Sequence, residues 1–114
     1  MITVEKLNDF GANTAEGLAR CFGNEALYLK LVATIPNDAT FDKLKDSLGE
    51  KNLKAAFEAA HALKGVLGNL SLTPIYAPVI EITELLRNET DMDYKSLLGT
   101  ILEKKDELGR LCAE

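Results

Sequence analysis

Histidine, cysteine and proline are scarce in this chain, with 1, 2 and 3 of them among 114 residues. The cysteines, Cys21 and Cys112, are too few for a disulfide framework and lack CxxC spacing, so they read as small buried hydrophobes in a reducing compartment. Positive charge is in deficit: 13 Lys and Arg against 18 Asp and Glu leave a net charge of −5. That balance argues against nucleic acid or an anionic membrane as the main partner. No apolar run approaches the ~18 residues of a membrane span, and the N-terminus lacks a basic-then-apolar signal pattern, so a cytoplasmic protein is expected. Internal repeats, low-complexity tracts, long linkers and any GxxxxGK[ST] loop are missing as well. What remains is an ordinary globular composition, 46% hydrophobic and 27% charged, sized for a single domain over residues 1–114.

Strand alternation is absent and helical periodicity runs almost throughout. A short helix is expected from Thr3 to Phe10, broken by Gly11. Thr14 then caps a turn or two that end at Gly23. Asn24 caps a helix from Glu25 to about Ile35 with Leu27, Leu31 and Val32 inward, stopped by Pro36 and the Asn37-Asp38 pair. Thr40 starts a helix with Phe41, Leu44 and Leu48 on its inner face, closed by Gly49. Asn52 begins a long helix to about Leu70, followed by a turn from Ser71 to Thr73. Thr73 as cap and Pro74 as first residue open the next helix, which buries Ile75, Val79, Ile82 and Leu86 and runs to about Arg87. Pro78 predicts a kink or a late start there. A polar turn, Asn88 to Asp91, precedes a last helix from Asp93 to Leu111 that buries Leu97, Ile101, Leu108 and Leu111. Short turns favour antiparallel neighbours. The expected fold is all-α, an antiparallel four-helix bundle with short additional N-terminal helices.

The lone histidine lies in the long helix. Leu53, Ala56, Ala60, Leu63, Leu67 and Leu70 recur there at the spacing of a core seam. At roughly 100° per residue, His61 falls outside that seam, in a strip shared with Lys54, Phe57, Glu58, Gly65 and Gly68. A glycine inside a helix costs roughly 1 kcal/mol relative to alanine. Two of them beside a solvent-facing imidazole predict clearance for something bulky that approaches it. An ordinary histidine titrates near pH ~6.5, so its neutral ring is a competent nucleophile at neutral pH. Lys64 is within reach of a phosphoryl group on that ring. Glu58 and His61 have the Glu-x-x-His spacing of di-metal bundles, but a second such histidine is missing, so no metal site is expected.

The run His61-Ala62-Leu63-Lys64-Gly65, followed by Asn69-Leu70, resembles the H-x-L-K-G…N-L-G signature of histidine-containing phosphotransfer (HPt) domains. Asn24-Glu25-Ala26-Leu27-Tyr28 through Leu31, and Phe41-Asp42-Lys43-Leu44, are similar to the helices that precede that histidine in the family. The resemblance spans roughly residues 14 to 112. It implies that His61 is the phosphoacceptor, that Lys64 steadies the phosphoryl oxygens and that Gly65 clears the ring. It implies a carrier rather than an enzyme: a phosphoryl group passes in either direction between His61 and the aspartate of a receiver domain, with response-regulator receiver domains and a hybrid histidine kinase as partners. No cofactor of its own is implied, since Mg²⁺ would sit on the receiver. Ser71 stands where the family usually has a glycine, which should alter only the turn. Many members orient the histidine with a glutamine on the next helix, where this chain has Thr83 or Glu84.

Lys54, Phe57 and Glu58 are the expected docking residues, Phe57 as apolar patch and the other two as rim. A monomer is expected, and a start at Met1 without a trailing linker favours a free-standing carrier. Two rivals stand beside this reading: an HPt-fold adaptor that binds receiver or kinase domains without accepting phosphate, and an unrelated acidic helical interaction module.

Overall fold

The computed structural model describes residues 1–114. It is all helix: α1 (Val4–Phe10), α2 (Thr14–Arg20), α3 (Glu25–Thr34), a 3-10 turn (Ile35–Asn37), α4 (Thr40–Gly49), α5 (Leu53–Asn69), α6 (Thr73–Arg87) and α7 (Lys95–Ala113). Asparagine starts three of these helices. The side chains of Asn13, Asn24 and Asn52 accept from the backbone N–H groups of Glu16, Leu27 and Ala55 at the mouths of α2, α3 and α5. Such a cap stabilises by about 1 kcal/mol relative to alanine. Thr3 caps α1, and Gly11 ends it in the left-handed region at φ 105°.

The bundle is built from consecutive neighbours, α4 on α5, α5 on α6 and α6 on α7, with α7 also resting on the 3-10 turn. One core cluster runs from Ile2 to Leu108 and includes the whole expected α6 stripe of Ile75, Val79, Ile82 and Leu86. Lys105 of α7 places its ammonium 5.9 Å from the centre of the buried Phe41 ring of α4, linking the first and last bundle helices. The N-terminal helices close one end. There the buried Tyr28 hydroxyl donates to the Leu70 carbonyl at 2.9 Å. Burial, and secondarily Cys21, pushes the Tyr28 pKa up, which keeps the phenol a neutral donor.

Several expected details are corrected. In α3 the inward residues are Tyr28 and Val32, continued by Ile35 in the turn, while Leu27 and Leu31 are 40% and 39% exposed. Tyr28 has the larger apolar body and the bond to Leu70, so it takes the core-facing position. Asn13, not Thr14, caps α2; Thr14 is buried and donates its hydroxyl to Asn8. Leu72 occupies the α6 cap without a side-chain bond, and Thr73 is already helical. The helix does not start late: it runs from Thr73 straight through Pro78, which leaves the Pro74 carbonyl without its i+4 backbone donor. At the far end α7 begins at Lys95, whose N–H is taken by the Asp93 carboxylate at 2.9 Å. Leu53, Leu97, Leu111 and Cys112 are half-buried rather than buried.

Candidate functional site

Helix α5 presents two faces because its sequence does. Ala56, Ala59, Ala60, Leu63 and Leu67 are buried. The small alanines let α4 come close, and the leucines fill the centre of the bundle. The opposite strip holds Lys54, Glu58, His61, Ala62, Gly65 and Val66, all exposed, with Phe57, Lys64 and Gly68 half-buried along its edge. His61 is therefore at the surface, as its wheel position predicts.

The strip has unlike borders. On the α6 side it is filled. A Cβ on Gly68 would lie 3.1 Å from a ring carbon of Tyr76, so this glycine makes room for a neighbouring helix. That corrects the expectation that Gly68 gives clearance around the histidine. One helical stretch back, the Arg87 guanidinium carbon sits 5.5 Å from the centroid of Phe57. On the α4 side Ala55, Glu58, Ala59 and Ala62 face Thr40, Lys43, Asp46, Ser47 and Glu50 across an open groove. Between the two borders, a Cβ on Gly65 would meet nothing within 4 Å. Gly65 alone leaves open space beside His61.

The imidazole is stacked. Its ring and that of Phe57, one turn earlier, have centroids 5.8 Å apart and planes inclined by 20°. Stacked pairs of this kind contribute about 0.5–1.5 kcal/mol beyond the area they bury. Neither residue on the next helix orients the ring. Thr83 is buried and donates to the Val79 carbonyl at 2.6 Å, while Glu84 meets Arg87 at 3.5 Å. Lys64 and Lys54 take part in none of the ion pairs, which leaves two unneutralised ammonium groups on a helix that also bears His61. Nowhere do three or more His, Cys, Asp or Glu side chains converge as metal ligands would. No helix is long and apolar enough to cross a membrane.

Arg87 was not singled out by the sequence. Its only local signal is the basic residue usual in a last helical turn. The antiparallel register that levels Gly68 with Tyr76 also levels Phe57 with Arg87, and register is a property of the α5–α6 pair. The turn between them also explains Ser71. It adopts φ 54°, a left-handed conformation that favours glycine, and its buried hydroxyl has no hydrogen-bond partner.

The structure is an all-helical bundle with one solvent-facing histidine, a lysine outside every ion pair one turn on and an open glycine on the same strip. The chain belongs to the Hpt domain family, whose profile matches residues 33–114, from the end of α3 through α7. That family implies histidine phosphotransfer in phosphorelays. No curated protein and no solved structure matches the chain.

Proposed function

We propose that the protein is a histidine phosphocarrier whose phosphoacceptor is His61. The observation that carries the reading is the local geometry: an exposed imidazole, an open volume at Gly65 and an unpaired Lys64. The neutral ring attacks the phosphorus of a receiver aspartyl phosphate with a nitrogen lone pair. An N–P bond forms as the O–P bond breaks, and the bonding pair leaves on the aspartate carboxylate. The reverse step returns the phosphoryl group to a receiver. Lys64 offsets charge on the phosphoryl oxygens, and the partner receiver brings Mg²⁺, so this chain supplies positioning and charge rather than a metal site. Lys54 and Glu58 form the rim of the docking surface, with the exposed edge of Phe57 as its apolar part. The chain acts as a carrier, not as a kinase, and works as a soluble monomer in the cytoplasm.

The test is a transfer experiment. The protein is phosphorylated with a small phosphoramidate, whose P–N bond breaks as ammonia departs. It is then mixed with Mg²⁺ and a panel of receiver domains. Transfer to a receiver, lost in His61→Gln with the helical circular dichroism intact, is the expected result. Phosphate on another residue, or loss of helix in that variant, would overturn the assignment of His61. A protein that binds a receiver domain yet takes no phosphate on His61 would favour the adaptor reading.

A further inference from the structure

The His61 imidazole has a stacking partner and no hydrogen bond to the protein. Phe57 approaches its face at 5.8 Å between centroids, and Arg87 reaches over the Phe57 ring from the end of α6 at 5.5 Å. Glu84, one turn earlier on α6, lies 3.5 Å from the Arg87 Nη2. We propose that Phe57, held by Arg87, is the positioning residue for the His61 ring, fixing by stacking the orientation that no hydrogen bond supplies. The inference rests on the phosphocarrier reading and deepens it.

The physical reason lies in the torsions. On a helix the χ1 of a long side chain is confined to two wells that point it back toward the preceding turn, and for His61 that turn contains Phe57. The terminal χ2 of histidine is broad, so the plane of the ring is its softest coordinate. In-line attack uses a lone pair that lies in that plane, which makes the plane the quantity that matters for reaction. A stacked ring restricts it directly. A side-chain hydrogen bond would restrict it too, but would occupy one of the two nitrogens. Stacking engages the face and leaves both nitrogen edges open to a phosphoryl donor.

Phe57 is suited to the task because it is itself restrained. It is half-buried against the core, and the Arg87 cation lies over its ring. The same guanidinium also meets the Glu84 carboxylate on α6 at 3.5 Å, so its head has two neighbours, the ring and the carboxylate. The residues facing the strip from α4 are small, charged or hydroxylic and offer no second aromatic surface.

Two readouts on the free protein test the proposal without any receiver. One is the ring-current displacement of the His61 ring protons by NMR. The other is the rate of phosphorylation by a phosphoramidate. Phe57→Leu keeps an apolar side chain but removes the ring. It is expected to abolish the displacement and slow phosphorylation about fivefold, with the melting transition preserved. Phe57→Tyr, which keeps the ring, is expected to restore both. Arg87→Ala, at a half-exposed position, is expected to weaken the displacement and slow the reaction about twofold, and it carries the test if the leucine variant does not fold. A Phe57→Leu protein phosphorylated at the parent rate would overturn the proposal. So would a parent protein without the ring-current displacement, or a tyrosine variant as slow as the leucine one. A parent that shows the displacement but never accepts phosphate would instead overturn the phosphocarrier reading and leave the stack standing.

Discussion

The two faces of α5 carry one helix in opposite senses. Its buried face is a continuous seam of alanine and leucine whose side chains are almost wholly removed from water. Its outward strip combines a histidine, unpaired lysines and a glycine with nothing over it. The first face is constrained by volume, since every methyl group there has a neighbour. The second is constrained by access and charge, and leaves stability on one side of the helix independent of reactivity on the other.

That independence can be broken or sharpened by substitution. The largest effect is expected on the buried face. Leu67→Ala should cost about 2–5 kcal/mol of stability, read from the denaturant midpoint, because Leu67 is wholly buried and a cavity would remain. Under conditions where it stays folded, its phosphorylation rate should match the parent. A rate that falls with stability would show that the two faces are coupled.

On the outward strip the order reverses. Lys64→Ala should slow transfer about tenfold, through lost charge stabilisation, while changing the melting temperature and receiver affinity little. If affinity falls as far as the rate, Lys64 acts in docking and not on the phosphoryl group.

The smallest effect separates the two glycines. Gly65→Ala should stabilise the helix by about 0.5–1 kcal/mol, since the new methyl group meets open space. Gly68→Ala should gain less or lose, because the Tyr76 ring at 3.1 Å would have to move. Equal gains at both sites would mean that Tyr76 is free to shift and that Gly68 is not a packing glycine.

Much of this was legible in the residues. Periodicity located the helices, asparagine and glycine marked several boundaries, and the wheel of α5 placed His61 outside. The misplacements share one cause. Leu27 and Leu31 satisfy a helical stripe as well as Tyr28 and Val32 do, and apolarity does not reveal which stripe meets the core. Threonine at positions 14 and 73 looks like a cap by type, but the chain turns one residue earlier. Boundaries of that kind depend on where the preceding turn releases the backbone.

The candidate site divides along the same line. His61, Lys64 and Gly65 share one helix, where a fixed rise and rotation per residue set their relations, so local sequence was enough to bring them together. Gly68 against Tyr76 and Phe57 against Arg87 are relations between helices. They depend on the register in which α6 returns along α5 and on the left-handed turn at Ser71 that sets it. A helix dictates its own faces through its repeat. What touches each face follows from how the whole core packs, because only then are non-neighbouring side chains held at a defined distance.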